Sequence, residues 1–195
     1  MIQTLFESYF ITSPLLYPNH SYEIFKQNLK NIFHHHSIQK ACFRDDSKNI
    51  PIDLIKIFSE YCLQNNIESF INLAKTNLSF EYAQKYGFQG VHIKGTELNY
   101  AKILSDKKIK TFYSAHQDKE VFQAIEYGVD FVVISPIFQT PGKPKPLGLK
   151  YLDRFDSNTK KYLFALGGIV SQKEVDIIKT KGLRGFASIR YFLNN

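Results

Sequence analysis

Apolar runs rich in β-branched and aromatic residues alternate along this chain with segments whose apolar residues recur at helical spacing. Each run is about the length of one buried strand, and a polar or glycine-containing loop follows it. The predicted strands are residues 9–12, 38–43, 69–73, 90–93, 111–114, 131–134, 162–166 and 185–187. The predicted helices begin near residues 21, 51, 79, 100, 119, 149 and 171, and a last short one follows residue 188.

Residues typical of helix ends support these boundaries. Ser21 and Ser171 are suitable N-caps, and Glu174 stands at the capping-box position after Ser171. Pro51 suits the start of a helix, while Gly87 suits the residue just after one. The chain therefore reads as a regular succession of strands and helices.

Eight strand-then-helix units, each of about two dozen residues, favour a closed (β/α)8 TIM barrel. We expect residues 1–195 to form a single domain of this kind. An open, doubly wound sheet is the alternative, but the regular repeat and the lack of a GxGxxG segment count against it.

The composition is that of a folded protein, with 44% hydrophobic and 22% charged residues. The apolar runs are too short for a membrane span, and no basic segment precedes an apolar core near Met1, so we expect no signal peptide. Cys42 and Cys62 are too few for a disulfide framework. These features predict a cytoplasmic protein.

A net charge of +7 suits anionic partners. The lysines are scattered singly or in pairs, as at Lys107-Lys108 and Lys160-Lys161, and form no basic stripe. We therefore predict small anionic substrates and no nucleic-acid or membrane partner.

In a TIM barrel the residues after each strand converge on one end, where the chemistry takes place. These residues are rich in donors for anions and poor in paired nucleophiles and bases. The predicted strand-end residues are Arg44, Asn77, Glu97, Ser114, Thr140, Lys143, Gly167, Gly168 and Arg190.

The longest loop follows the strand at 131–134 and reads SPIFQTPGKPKPLGLK. Its prolines restrict the backbone and lower the entropy lost on binding. The Thr140 hydroxyl and the Lys143 ammonium are donors suited to phosphate or pyrophosphate. The alternative is a surface loop without a ligand.

The last two strands end in LGGI (166–169) and ASIR (187–190). Loops at this place in TIM barrels often bind phosphate through backbone N–H groups and helix amino ends. Arg190 adds a donor for a bidentate ion pair. The alternative is that Gly167-Gly168 only forms a tight turn.

Seven segments together resemble the thiamine phosphate synthase/TenI superfamily. They are FIT, FRD, GVHIKG, YSAH, SPIFQTPGK, ALGGI and GFASIR, and they occur in the family's order along nearly the whole chain. The resemblance implies a TIM-barrel transferase that joins a pyrimidine methyl diphosphate to a thiazole phosphate and releases pyrophosphate. It implies a dissociative mechanism assisted by Mg²⁺ and basic residues, and it also implies a homodimer.

The resemblance carries roles onto residues of this chain. Arg44 matches an arginine that holds the diphosphate, Asn77 a strand-three asparagine and Ser114 a strand-five serine. Thr140 and Lys143 match loop residues that contact substrate and pyrophosphate. The resemblance therefore implies that Arg44, Ser114 and Lys143 act in catalysis. The residues that it implies in substrate binding are Asn77, Thr140, Gly167, Gly168, Ser188, Ile189 and Arg190.

Several positions depart from the family pattern. A family lysine falls on Asp46, which puts negative charge beside the diphosphate, and a Mg²⁺-binding aspartate falls on Leu78. Glu97 matches a second metal position and is the remaining candidate ligand. A loop threonine falls on Gly142, and a serine of the last strand falls on Arg190.

Two alternatives to the synthase stay open. The TenI branch, a thiazole tautomerase, uses a histidine where this chain has Pro136, and the histidines near other strand ends are His92 and His116. We interpret His92 as structural. The other alternative is a protein that binds a phosphorylated ligand without turnover.

Overall fold

The computed structural model describes residues 6–47, 49 and 51–193. Eight parallel strands form a closed barrel in which each pairs with the next and the last pairs with the first, as between Glu7 and Gly185. This confirms the predicted (β/α)8 TIM barrel. The strands are β1 (Glu7–Ile11), β2 (Lys40–Arg44), β3 (Glu68–Asn72), β4 (Gly90–Ile93), β5 (Lys110–Ala115), β6 (Phe131–Ile134), β7 (Leu163–Leu166) and β8 (Gly185–Ser188).

Helices lie between successive strands. The α-helices are α1 (Tyr22–His35), α2 (Ile52–Gln64), α3 (Thr76–Tyr86), α4 (Tyr100–Asp106), α5 (Asp118–Glu126), α6 (Ser157–Lys160) and α7 (Gln172–Lys179). The helix predicted from residue 149 is a 3-10 helix (Leu149–Arg154), and the last short helix is also 3-10 (Arg190–Leu193). None of the helices in the described part of the chain has the length and apolar character needed to cross a bilayer.

The predicted helix caps explain several of these boundaries. Ser21 Oγ accepts a hydrogen bond of 3.3 Å from the Ile24 N–H at the start of α1. At the start of α7, the Glu174 carboxylate accepts one of 2.7 Å from the Ser171 N–H. Gly87 ends α3 with φ +73°, a conformation that glycine adopts without steric cost.

Aromatic side chains fill the inside of the barrel. The Tyr9 ring stacks on Phe112 with 3.9 Å between ring centroids, and Phe70 and Phe164 meet these rings edge-on. The interior is therefore a packed core rather than a pore, which leaves the ends of the barrel for chemistry.

The amino ends of the strands carry a cluster of charges, here called the basal ion cluster. It consists of Glu7, Lys40, Glu68, Lys110 and Arg184. Lys40 Nζ, which is buried, lies 2.7 Å from a Glu68 oxygen and 3.2 Å from a Glu7 oxygen. The cluster closes this end of the barrel and satisfies charges that would be costly to bury alone.

Candidate active site

The carboxyl ends of the strands form the other end of the barrel, here called the mouth. Arg44 ends β2 and is in register with Asn72, which ends β3. Ser114 lies near the end of β5, and Lys94 follows β4 directly. Parallel strands thus bring two cations, an amide and a hydroxyl to one end of the molecule.

Asn77 and Leu78 do not lie where the sequence analysis placed them. Strand β3 ends at Asn72, and helix α3 begins at Thr76, three residues earlier than predicted, so both residues belong to the helix. Asn77 is exposed there. The asparagine at the end of strand three is Asn72, which is buried and donates to the His92 carbonyl. We correct the Asn77 assignment accordingly.

The sequence analysis does not name Asn72 as a site residue, although the sequence contains a signal for it. It is the one amide in the apolar run 69–73, and a polar residue in a buried strand needs a reason. The residue that follows it is Leu73, which is buried. The residue after the strand-end asparagine is thus Leu73, and Leu78, which the sequence analysis placed there, lies in α3.

A column of hydrogen bonds joins the barrel interior to the mouth. His92 Nδ1 lies 3.0 Å from the Tyr9 hydroxyl, and His92 Nε2 lies 2.8 Å from Ser114 Oγ. Burial, together with the positive charges of Arg44 and Lys94, lowers the pKa of His92 to about 3. The ring is therefore neutral at ordinary pH, and it supports Ser114 rather than carrying charge.

Asp46 connects the two cations of the mouth. Arg44 Nη2 lies 3.0 Å from Asp46 Oδ2, and Lys94 Nζ binds Asp46 Oδ1. Partial burial acts to raise the pKa of Asp46, but the hydrogen bonds and charges of Lys94 and Arg44 outweigh it and hold that pKa below its ordinary value. The carboxylate is thus ionised and paired with both cations.

Arg44 is held in place by its own backbone as well. Its N–H donates to Thr12 Oγ1 at 2.9 Å, which ties the end of β2 to the residue after β1. The neighbouring Asp45 turns away from Arg44, is buried, and accepts from the Tyr17 hydroxyl at 3.0 Å and the Ser47 N–H at 2.7 Å. Asp45 therefore has a structural role.

The mouth does not fit a Mg²⁺ site. Glu97, the predicted ligand, accepts a hydrogen bond of 2.9 Å from the Thr76 N–H and so caps the amino end of α3. Asp46 is occupied by Arg44 and Lys94, and Leu73 offers no oxygen ligand from its side chain. Within residues 6–47, 49 and 51–193, no group of three or more His, Cys, Asp or Glu side chains could hold a metal ion.

The loop after β6 packs against the turn after β7. Phe138 N–H donates to the Gly167 carbonyl at 3.0 Å. Gly167 (φ +96°) and Gly168 (φ +72°) are both left-handed, and a Cβ at Gly168 would lie 2.6 Å from Phe138 Cβ. A Cβ at Gly167 would lie 3.3 Å from Thr140 Oγ1. The two glycines are thus needed for packing, and that packing brings Thr140 to the turn.

The residues after β8 are only partly available to a ligand. Ser188 Oγ is buried, donates to the Ile169 carbonyl at 2.8 Å and accepts from the Tyr191 N–H at 3.1 Å. Its hydroxyl therefore joins the β7 turn to the last helix. Ile189 is half-buried, and Arg190 is exposed at the start of the 3-10 helix.

Lys143 and His116 lie at the edges of the mouth. Lys143 is exposed beside Gly142 in the β6 loop, and its ammonium makes no ion pair within the described part of the chain. His116 Nδ1 lies 2.9 Å from the Ser135 carbonyl, next to Pro136. Since a carbonyl only accepts, this contact requires the proton on Nδ1.

A family model described as thiamine monophosphate synthase matches residues 9–192. The chain belongs to this family. The Pyrococcus furiosus thiamine phosphate pyrophosphorylase structure has the same fold, with a TM-score of 0.73, 17% identity and coverage of 97% of this chain and 88% of that one.

Two curated relatives, each named a thiamine-phosphate synthase, match parts of the chain. The chain is 36% identical over 83 residues to a putative thiamine-phosphate synthase 2 of Aquifex aeolicus, covering 42% of this chain and 44% of the relative. It is 28% identical over 108 residues to a thiamine-phosphate synthase of Gloeobacter violaceus, covering 53% and 31%. The matches thus span less than half the length of either relative.

Proposed function

We propose that this chain is a thiamine phosphate synthase, an alkyl-transferring enzyme that joins hydroxymethylpyrimidine diphosphate to thiazole phosphate and releases pyrophosphate. The observation that carries the proposal is the family match over residues 9–192, together with the convergence of Arg44, Asn72 and Ser114 at the barrel mouth. A role in thiamine biosynthesis follows from the same family.

The chemistry suits the donors of the mouth. When a diphosphate leaves carbon, negative charge builds up on its oxygens, and fixed cations and hydrogen-bond donors stabilise that charge. Arg44 and Lys94 supply the charge, and the Ser114 hydroxyl, supported by His92, supplies a positioned donor. Lys143 lies on the loop that follows β6 and is a further exposed cation on the side of the strand carboxyl ends.

The thiazole phosphate is assigned to the other half of the mouth. Thr140 and the turn at Gly167 and Gly168 are packed together there, and Ser188, Ile189 and Arg190 follow at the end of β8. Backbone N–H groups of such a turn and an exposed arginine are suited to a monophosphate. Because the carboxylates do not fit Mg²⁺, we assign no step of the reaction to a metal.

The experiment is a turnover assay with both substrates, in which thiamine phosphate is separated and quantified. We expect product from the unmodified protein and a loss of about 100-fold in kcat/KM for Ser114→Ala and for Arg44→Gln. Matched controls are Ser105→Ala on α4 and Arg154→Gln on the 3-10 helix Leu149–Arg154, both exposed and outside the residues assigned to the site. Absence of product, or equal losses in the controls, contradicts the proposal.

Binding of a phosphorylated ligand without turnover is a second candidate, favoured by the pairing of Asp46 with both cations. It predicts tight binding of thiazole phosphate in calorimetry with no product in the turnover assay. Arg190→Gln would then weaken this binding, whereas exposed Arg154→Gln would not.

A further inference from the structure

The ion pairs of the mouth cross from one strand to another. Asp46 follows β2, and Lys94 follows β4, so the Asp46 carboxylate bridges the two sides of β3, which lies between them. Its other oxygen holds Arg44. Thus one carboxylate occupies the donors of both cations that flank the end of β3.

These ion pairs are exposed to water, so another anion can take the place of the Asp46 carboxylate. The side chains of Asp46, Arg44 and Lys94 are 50%, 43% and 23% exposed. Ion pairs at such positions contribute little to stability, because water screens them. An anion with more charge than one carboxylate can therefore displace Asp46 from the two cations.

We propose that Asp46 is an internal competitor for the anion of the substrate: its carboxylate holds Arg44 and Lys94, and a diphosphate binds at the mouth by displacing it. The proposal rests on the proposed function only for naming the anion as a diphosphate. Asp46 sets the affinity for that anion and makes it weaker than the two cations alone would provide. It is thus a specificity-determining residue rather than a ligand of metal or substrate.

The geometry favours this role over a structural one. Asp45, the adjacent acid, supplies the local structural contacts through Tyr17 and Ser47, whereas the described residues that bind the Asp46 carboxylate are two cations. Replacing Asp46 by asparagine keeps the size of the side chain and removes its charge. The change therefore frees the cations without altering the packing of the barrel.

The test measures binding of inorganic pyrophosphate by isothermal titration calorimetry to the full chain and to Asp46→Asn. We expect the Kd to fall by about tenfold in Asp46→Asn, because one unit of negative charge is lost a few Å from the bound anion. The matched control is Asp53→Asn, which makes the same charge change at an exposed position of α2, where Lys56 is the cation that pairs with Asp53 among the described residues. Circular dichroism of each variant checks that it is folded.

A second substitution tests whether the gain in pyrophosphate affinity comes from the freed cations. In the double variant Arg44→Gln/Asp46→Asn, we expect most of the tenfold gain to disappear. An unchanged Kd in Asp46→Asn, an equal gain in Asp53→Asn, or no pyrophosphate binding by any of these folded proteins overturns the proposal. Failure of the proposed function shows separately, as absence of thiamine phosphate in the turnover assay.

Discussion

The His92 imidazole supports the Ser114 hydroxyl from inside the barrel, with 2.8 Å between Nε2 and Oγ. The other ring nitrogen faces the Tyr9 hydroxyl at 3.0 Å. If Tyr9 donates to Nδ1, then Nε2–H donates to Ser114, and the serine proton is left to point into the mouth. A buried aromatic residue would in this way orient a hydrogen-bond donor at the surface of the site.

The pKa of His92, near 3, gives a prediction for pH dependence. The unfolded chain takes up a proton at His92 as the pH falls below about 6.5, whereas the folded protein does not until about pH 3. The free energy of unfolding therefore falls with decreasing pH across this window, by up to about 1.4 kcal/mol per pH unit from this residue. Below about pH 3 both states are protonated at His92, so the free energy of unfolding stops changing with pH on account of this residue and the destabilisation stays at its full value.

NMR of the histidine ring nitrogens measures this directly. We expect the His92 signals to stay in the neutral form from about pH 7.5 to 4.5, with one fixed tautomer. Urea unfolding at several pH values gives the free energy of unfolding as a function of pH. We expect this pH dependence to be shallower for His92→Gln than for the unmodified protein. A His92 titration midpoint near 6.5 would show that the ring is not held neutral by burial.

Tyr9→Phe should destabilise the protein although it removes only one oxygen atom. The change leaves His92 Nδ1 buried without its 3.0 Å partner, at a cost of about 1–3 kcal/mol. The control is Tyr162→Phe, on an exposed tyrosine, for which we expect little change. Equal unfolding free energies for Tyr9→Phe and the unmodified protein would mean that the ring and hydroxyl do not interact appreciably.

The barrel could be predicted from the sequence because buried parallel strands consist of short apolar runs. The predicted bounds of β4 and β6 match the structure, and the other strands differ by one or two residues. The eight units in order were enough to decide between a closed barrel and an open sheet. Local pattern thus determined the architecture.

The start of α3 could not be predicted from local pattern. The local pattern predicts Ser79 as the first residue of the helix, but its Oγ accepts from the Leu73 N–H at 2.8 Å inside the first turns of α3. The true start at Thr76 is capped by Glu97, which comes from the loop after the next strand. A tertiary contact set this boundary, and the misplaced start led to the assignment of Asn77 and Leu78 to the strand end.

The role of Asp46 could also not be predicted from the sequence. Its charge was apparent, and it was expected to sit beside a diphosphate. Its bridge to Lys94 joins residues 48 positions apart in the chain, and the pairing of β2 and β4 with β3 brings them together. The sequence could indicate the departure from the family but not what the carboxylate does.

Gly168→Ala should disturb the mouth through packing as well as backbone strain. The new Cβ would lie 2.6 Å from Phe138 Cβ, in addition to the cost of φ +72° for alanine. Gly182→Ala is the matched control, since Gly182 has φ +71° and nothing within 4 Å of the added Cβ. We expect Gly168→Ala to lower the free energy of unfolding by about 1–3 kcal/mol more than Gly182→Ala.

Thermal and urea unfolding of the two variants measure that difference. A larger Kd for thiazole phosphate in Gly168→Ala alone would further indicate that the β6 loop and the β7 turn form one ligand-binding unit. Equal destabilisation by both substitutions would show that Phe138 moves aside without cost, so that packing does not fix the turn.

The basal ion cluster should be sensitive to loss of its central cation. Lys40→Met leaves Glu7 with Arg184 and Glu68 with Lys110, but both carboxylates lose their buried partner. We expect a loss of about 3 kcal/mol in the free energy of unfolding. Lys181→Met, which removes an ion pair to the exposed Asp153, should lower the free energy of unfolding much less than Lys40→Met.

The pH dependence of the free energy of unfolding distinguishes loss of charge pairing from loss of packing in Lys40→Met. Burial acts to raise the pKa of Glu68, but hydrogen bonds from Lys110 and Lys40 outweigh it and lower that pKa below 4.5. A lowered carboxyl pKa stabilises the fold above about pH 4.5, and this stabilisation is lost as the pH falls through the folded-state value. In Lys40→Met the loss on acidification below about pH 4.5 should be smaller, since one of the two partners of Glu68 is already gone. An equally steep pH dependence of the free energy of unfolding in Lys40→Met and in the unmodified protein would mean that Lys40 acts through packing and not through its charge. Its ammonium lies over the Phe131 ring.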